Sequence, residues 1–234
     1  MEVAADPSSL PLTQPRGRIM VDGLTVTGTI LAILALALLP LLTPWVMHPT
    51  LDAAQSAAWL GTDSGTVHAL SDRTVDELLF GPGTFAFPGP DDLPFYVPAE
   101  VSHLHDARTL LWLLVGFGAL ATLGMGVALV RGAAPIATVR AIGLGGAVTA
   151  IGVVLIGVVG LVAFEPLFEL FHRIFFPGGN WAFDPRTERL VQLYPYAFWQ
   201  LIAAALGGAA AVIGVIVWLL ARLIAGPRAL SEGP

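Results

Sequence analysis

Charged side chains are distributed unevenly along this sequence, and four long stretches contain none of them. Asp, Glu, Lys and Arg are absent from residues 23–51, 109–130, 141–164 and 190–221. Each stretch can supply the roughly 20 apolar residues that cross a hydrocarbon core about 30 Å thick. Because backbone amides find no water at that depth, we predict that each stretch forms a helix.

The predicted fold class is an all-α membrane protein with four transmembrane helices. We expect these helices at about residues 24–46, 108–130, 140–164 and 197–224, within a membrane domain of residues 23–225. Residues 48–107 and 165–196 form the outer loops. The proline-containing segment 1–22 and the tail 226–234 are predicted to be disordered and cytoplasmic.

The first outer loop is long enough to fold into a small helical cap. Residues 51–60 predict a short helix that ends at Gly61. Thr74 and Glu77 have the spacing of a capping box, which predicts a second helix start before Gly81 ends that segment. Two proline-flanked apolar segments, 85–88 and 93–98, favour extended structure at the membrane interface.

A removable signal peptide is the alternative interpretation of the first apolar stretch. That stretch is longer than the roughly 7–15 residues of a signal-peptide core, and no Ala-x-Ala cleavage site follows it. We therefore expect the first helix to be retained.

The composition is typical of a membrane protein, and it excludes several kinds of chemical site. Hydrophobic residues make up 56% of the 234 residues and charged residues 12%, against roughly 25% charged in a soluble domain. The mean hydropathy is +0.78. The chain has no cysteine, which excludes disulfides, thiolate metal ligands and a thiol nucleophile.

The distribution of arginine predicts the orientation in the membrane. The chain has no lysine, and six of its 11 basic residues flank the helices on one side. The positive-inside rule places that side, with both termini, in the cytoplasm. The outer loops hold the other five arginines and 13 acidic residues. The six arginines of the inner side are Arg16, Arg18, Arg131, Arg140, Arg222 and Arg228.

Histidines occur in both outer loops, next to predicted helices. His103, His105 and Asp106 precede the second helix. If the third helix continues past residue 164, Glu169 and His172 lie on one of its faces, beyond a bend at a proline. An interfacial aromatic belt explains many of the aromatic residues of the second loop. His48 and His68 show no partner pattern, and we predict no chemical role for them.

Two motifs in these loops resemble those of a known membrane protein family. Residues 103–108, HLHDAR, are similar to the H-[ML]-x-D-V-[KR] motif of the four-helix family that contains the bacterial lipoprotein intramolecular transacylases. Residues 171–176, FHRIFF, followed by Trp181 and Pro185, resemble its F-H-x-x-F-F…W…P stretch. The hydropathy pattern also matches over most of the chain.

The resemblance implies a multi-pass protein of a bacterial plasma membrane that carries out intramolecular acyl transfer. A fatty acyl chain moves from the diacylglyceryl group of a lipoprotein to the α-amine of its amino-terminal cysteine, which gives a lyso-form N-acyl lipoprotein. The implied catalytic residues are His103 and His172, because an unperturbed histidine titrates near pH 6.5 and can donate or accept a proton. The residues implied in orienting or substrate binding are Asp106, Arg108, Glu169, Arg173 and Trp181.

The predicted partners are a diacylglyceryl lipoprotein substrate and membrane lipids, with no nucleic acid, no cofactor and no metal. Two alternative functions remain open at this stage. One is a non-catalytic lipid-binding or assembly protein whose histidines belong to the aromatic belt. The other is a metal-dependent membrane hydrolase that binds zinc through His103, His105, Asp106 and His172. No oligomeric state follows from the sequence.

Overall fold

The structure, a computed structural model, describes residues 15–132 and 134–226. Four of its helices, the first together with the 3-10 turn that follows it, are long and apolar enough to cross a membrane. The predicted all-α membrane fold is confirmed. In chain order the helical elements are α1 (Pro15–Leu38), a 3-10 turn (Leu39–Leu42), α2 (Pro44–Ala53), α3 (Ser56–Leu60), α4 (Ser64–Leu79), α5 (Pro98–Arg131), α6 (Pro135–Phe175), α7 (Arg189–Leu193) and α8 (Tyr196–Ala225).

Several helices extend beyond the apolar stretches that predicted them. Helix α1 begins at Pro15, so residues 15–22 are helical and the prediction of a disordered tail up to residue 22 is wrong there. Helix α5 begins at Pro98 and α6 continues to Phe175. Hydropathy identifies only the part of a helix that lies in the hydrocarbon core of the membrane. Backbone hydrogen bonds continue the helix beyond that core. The remaining tail predictions, for residues 1–14 and 227–234, lie outside the described residues.

Helix α6 bends where its sequence contains a proline. Ala163 has a non-helical backbone (φ −142°, ψ 43°), three residues before Pro166. A proline inside a helix removes one backbone hydrogen bond, and its ring clashes with the preceding turn. The bend redirects residues 164–175, which include His172, relative to the membrane-spanning part of α6.

The membrane bundle is held together by close contacts between small residues. Helices α6 and α8 approach so closely that a Cβ atom at Gly146 would lie 2.6 Å from the carbonyl oxygen of Gly214. Small residues allow such backbone contacts in membranes, where packing drives helix association. The outward faces carry exposed apolar side chains such as Val162 and Leu223, as expected for surfaces that contact lipid.

The first outer loop folds into a helical cap built from α2, α3 and α4. Its apolar core includes Leu51 and Val67 of the cap, and also Leu193 from the second outer loop. The hydroxyls of Ser71 and Tyr194 are 3.2 Å apart and hydrogen-bonded. Burial raises the pKa of Tyr194 to about 12, so this hydroxyl stays protonated. The two outer loops therefore form one packed unit.

Two local predictions for the cap were wrong. The helix expected over 51–60 is broken at Gln55, whose left-handed backbone (φ 60°) separates α2 from α3. The capping box at Thr74 does not start a helix, because α4 starts at Ser64, where Asp63 accepts a hydrogen bond from the Thr66 amide. Thr74 lies inside α4, and its buried hydroxyl is 2.7 Å from the hydroxyl of Tyr96.

Candidate active site

His103 and His172 meet at the end of the bundle that carries the cap, although they belong to different helices. His103 lies on the second turn of α5, and His172 lies near the end of α6, beyond the bend. The two imidazole centroids are 5.9 Å apart, with 24° between the ring planes. The structure thus brings together His103 and His172, the two residues that the sequence motifs predicted to be catalytic.

Aromatic rings surround this pair of histidines. The ring of Phe176 is centred 4.5 Å from His103 and 5.4 Å from His172. Phe168 and Trp181 lie 4.1 Å and 5.0 Å from His172. The centroid of Phe183 is 5.7 Å from His103. The site is a largely apolar enclosure in which the imidazole nitrogens are the main polar atoms.

Hydrogen bonding determines which imidazole nitrogens of His103 and His172 are available to a substrate. The Nδ1 atom of His172 lies 2.8 Å from the carbonyl oxygen of Phe168. A carbonyl can only accept, so Nδ1 carries the proton and Nε2 keeps its lone pair. The Nδ1 atom of His103 is buried and has no hydrogen-bond partner in the described part of the chain. Among the described residues, no carboxylate forms an ion pair with either ring.

Asn180 fastens the second outer loop to α5 beside His103. Its Nδ2 donates to Ser102 Oγ over 3.1 Å and to Asp106 Oδ2 over 2.9 Å. Its Oδ1 is buried without a partner. Asp106, predicted to orient His103, makes its hydrogen bond with Asn180. The hydrogen bond between Asn180 and Asp106 therefore also positions the adjacent Trp181, which packs against His172.

A buried carboxylate, Glu100, also holds the second outer loop to α5. Its side chain is fully buried, accepts the amide of Val97 over 2.8 Å and accepts the amide of Leu190 over 2.6 Å. Glu100 therefore joins the first turn of α5 to the first turn of α7. A short ion pair reinforces this junction, with Arg189 Nη2 2.7 Å from Asp91 Oδ2. The hydrogen bond from Arg189 lowers the pKa of the Asp91 carboxyl.

Arg108 and His105 hold the loop that follows α4. The Arg108 guanidinium donates to the carbonyl oxygens of Glu77 and Gly81 over 2.7 Å and 2.9 Å. His105 Nε2 donates to the carbonyl of Gly83 over 2.7 Å. Gly83 has a positive φ of 77°, and a Cβ there would lie 2.0 Å from an Arg108 nitrogen. Both side chains thus contact the cap and not the imidazole pair.

Glu169 and Arg173 pair with each other on the surface of α6. Their nearest atoms, Arg173 Nη2 and Glu169 Oε2, are 2.9 Å apart, and the Arg173 side chain is 69% exposed. Glu169, predicted to orient His172, forms no hydrogen bond with that ring, whose Nδ1 is held by the helix backbone. Arg173 lies one residue beyond His172 and faces outward, where a polar headgroup could reach it.

The sequence motifs did not identify Glu100 and Asn180. Pro98 followed by Glu100 is a helix-start signal, with proline at the first position and an acidic residue near it. That signal could have predicted from the sequence that α5 starts at Pro98. No local pattern could have shown that Asn180 bonds Asp106, because 74 residues separate them.

Metal ligands do not converge in the part of the chain that the structure describes. No group of three His, Asp or Glu side chains there has the arrangement needed to hold a metal ion. His105 and Asp106, two of the four ligands in the zinc alternative, are bound to Gly83 and Asn180. Their engagement in these contacts argues against a shared metal site.

Comparisons with known proteins agree with the resemblance seen in the motifs. A family model described as lipoprotein intramolecular transacylase Lit matches residues 80–199, just over half of the chain. No curated protein matches the chain. The solved structure of the membrane integral lipoprotein intramolecular transacylase Lit from Bacillus cereus superposes with a TM-score of 0.70 at 17% identity, over 90% of this chain and 97% of that chain.

A second structure of the Bacillus cereus protein, carrying a histidine-to-arginine mutation, gives a TM-score of 0.62 at 14% identity. It covers 89% of this chain and 92% of that chain. At these identities the structures establish a shared membrane fold, and the family model establishes the relationship. The family predicted from the two motifs is confirmed: this chain belongs to the lipoprotein intramolecular transacylases.

Proposed function

We propose that the paired histidines carry out acyl transfer within a single diacylglyceryl lipoprotein molecule. The acyl chain leaves a glycerol ester and becomes an amide on the α-amine of the amino-terminal cysteine. The observation that supports this proposal most strongly is the pair of imidazoles, 5.9 Å apart in an aromatic enclosure, in a chain that belongs to the transacylase family.

The reaction needs no nucleophile from the protein, because the substrate supplies its own. The amine nitrogen attacks the ester carbonyl carbon, and a C–N bond forms as the carbonyl becomes an oxyanion. The amine then loses a proton, the ester C–O bond breaks, and the glycerol oxygen gains a proton. Atoms and charge balance, and the enzyme must hold two groups together and move protons between them.

We assign the general base to His172. Its Nδ1 proton is held by the Phe168 carbonyl, 2.8 Å away, so the lone pair on Nε2 can accept the proton of the α-amine. The side chain is only 7% exposed, and burial disfavours a charged imidazole before substrate arrives. A neutral base is therefore present when the amine enters.

We assign proton donation to the glycerol oxygen to His103. His103 receives the proton that His172 has removed from the amine and passes it to the departing oxygen, so that both rings are neutral again after the reaction. One tetrahedral centre carries both the attacking nitrogen and the departing oxygen, and imidazoles about 6 Å apart can each reach one of them. The unpartnered Nδ1 of His103 offers a second polar contact to the substrate.

The other predicted residues support these two. Asp106 and Trp181 act through the second outer loop. Asn180 of that loop donates a hydrogen bond to Asp106 and directly precedes Trp181 in the chain. Arg108 holds the loop after α4, and exposed Arg173, paired with Glu169, is placed to contact polar groups of an incoming lipoprotein. The aromatic rings shield the acyl chains and exclude water, which would otherwise compete with the amine.

We place both termini and the link between α5 and α6 in the cytoplasm, with the histidine pair at the outer face. The asymmetry of arginine supports this orientation, since the described arginines at the inner end are Arg16, Arg18, Arg131, Arg140 and Arg222. A reporter domain fused after Arg131 should give a cytoplasmic signal, and one inserted at Asp91 an external signal. An external signal after Arg131 would reverse the assignment.

Expression in a bacterial host that makes only diacylglyceryl lipoproteins tests the proposed reaction. Mass spectrometry of amino-terminal lipopeptides should show an N-acyl chain together with loss of one ester-linked chain. An empty vector and the His103→Ala variant, matched for membrane content, should leave the diacylglyceryl form unchanged. The proposal fails if the wild-type protein is inserted in the membrane and that form still persists.

A further inference from the structure

A groove between α6 and α8 opens at the end of the bundle opposite the histidines. It has a volume of about 420 Å³ and is formed by Arg140, Leu144 and Ala147 of α6 with Trp218 and Arg222 of α8. Gly143 and Ala221 lie at its base, and their small size is what leaves the space. Both walls belong to membrane-spanning helices, so the groove faces lipid.

Two arginines lie at the mouth of this groove without an acidic partner. Within residues 15–132 and 134–226, neither Arg140 nor Arg222 forms an ion pair. Arg140 makes one long contact, 3.4 Å from the Ala225 carbonyl oxygen, and the Arg222 guanidinium lies 5.0 Å from the Trp218 ring centre. Most of their donors have no partner among the described residues, and two neighbouring cations favour a shared anion.

The rest of the groove is apolar. Leu144 is 56% exposed, and it lies with Ala147 on the wall that runs from the arginines toward the middle of the membrane. Trp218 adds an amphipathic ring of the kind enriched at membrane interfaces. A ligand that fits must therefore carry a negative charge at one end and hydrocarbon at the other.

We infer that this groove binds an anionic phospholipid. The phosphate lies between Arg140 and Arg222, and one acyl chain follows Leu144 and Ala147. Basic pockets between transmembrane helices commonly bind such headgroups, and guanidinium groups match phosphate oxygens in pairs. The bound lipid joins α6, which carries His172 at its far end, to α8. This site is independent of the acyl-transfer reaction.

Native mass spectrometry of the purified full-length protein tests the inference. Phosphatidylglycerol should bind with one molecule retained, and phosphatidylcholine with identical acyl chains should bind at least about fivefold more weakly. Exchange of both arginines, Arg140→Gln with Arg222→Gln, should weaken phosphatidylglycerol binding by about tenfold or more. Arg131→Gln is the matched control, because Arg131 lies at the same end outside the groove, and it should bind like wild type.

A second variant separates the lipid from a simple anion. Ala147→Phe fills the apolar part of the groove and leaves both arginines in place, so it should also weaken phosphatidylglycerol binding. Thermal unfolding of each variant confirms that it is folded. The inference is overturned if the double arginine variant binds phosphatidylglycerol like wild type, if Ala147→Phe has no effect, or if inorganic phosphate alone displaces the lipid.

Discussion

Two pairs of neighbouring histidines lie in this protein, one in the cap and one where the cap meets the bundle, and their surroundings differ. In the cap, the rings of His48 and His68 stack with centroids 4.1 Å apart and planes 2° apart. Each ring donates from Nε2 to an aspartate of the other helix, His48 to Asp72 over 2.8 Å and His68 to Asp52 over 2.9 Å. In the bundle, the rings of His103 and His172 have no carboxylate partner among the residues that the structure describes, and aromatic residues enclose them.

The comparison shows that the surroundings of a histidine determine what its nitrogens can do. In the cap, aspartates hold the Nε2 protons, so both rings fasten α2 to α4. At the candidate site, the backbone holds the Nδ1 proton of His172 and leaves Nε2 free. We therefore expect chemistry only at the second pair, and the following variants test that distinction.

The largest effect is expected for His103→Ala and His172→Ala. Each should lower the initial rate of N-acylation by about 10²–10⁴-fold, the usual contribution of a positioned proton-transfer group. His48→Ala and His68→Ala should leave the rate close to wild type. The rates are measured by mass spectrometry on purified protein with a diacylglyceryl lipopeptide, at matched amounts of folded protein.

The double variant and His105→Ala sharpen this test. Because both histidines act on one reaction, His103→Ala with His172→Ala should lose far less than the product of the single losses. His105→Ala should have a small effect, since its Nε2 bonds the Gly83 carbonyl. A loss in His105→Ala as severe as that in His103→Ala would instead indicate a shared metal site.

A smaller loss of rate is expected when the hydrogen bonds of Asn180 beside His103 are removed. Asn180→Ala breaks the hydrogen bonds to Ser102 and Asp106 and should reduce kcat by roughly tenfold, because misplaced catalytic groups lose rate steeply. Arg186→Ala in the same loop is the control, since Arg186 bonds only Asp184 locally. Equal kcat values for the two variants would exclude a positioning role for Asn180.

Loss of an enclosing ring should change the products more than the rate. Trp181 packs 5.0 Å from His172, and Trp181→Ala should admit water to the reacting ester. We expect the ratio of free fatty acid to N-acyl product to rise several-fold, measured by mass spectrometry of both. Trp59→Ala, on the cap, is the control. An unchanged ratio in Trp181→Ala would show that other groups exclude water.

The smallest effect is expected for the aspartates of the cap. Asp52→Asn and Asp72→Asn keep an oxygen that can accept from the histidine, and exposed ion pairs contribute little to stability. The rate should stay within about twofold of wild type, and the unfolding midpoint should fall by less than about 3 °C. A rate loss comparable to that of His172→Ala would remove the distinction between the two pairs.

Local sequence predicted the membrane bundle well, and it predicted the cap poorly. Charge-free stretches identify spanning helices because lipid enforces backbone hydrogen bonding within each segment. The start of α4 is different: both Asp63 and Thr74 have the chemistry of a helix start. Burial of Thr74 against Tyr96 decides between them, and that contact exists only in the folded cap.

The candidate site was also only partly visible in the sequence. Motifs identified His103 and His172, but the groups that hold the second outer loop depend on contacts between distant segments. Glu100 bonds the amide of Leu190 across 90 residues. His48 and His68 each precede an aspartate by four residues, yet each bonds the aspartate of the other helix. Only the packing of α2 on α4 creates those pairs.

The central claim is that the pair of His103 and His172 moves an acyl chain within one lipoprotein molecule, and an isotope experiment tests it most directly. Purified protein receives an equal mixture of two diacylglyceryl lipopeptides that differ in peptide mass, one of them with deuterated acyl chains. Mass spectrometry should show deuterated N-acyl chains only on the peptide that carried them, and no product with His103→Ala. Deuterated chains on both peptides, or unchanged product from the His103→Ala variant, would contradict the claim.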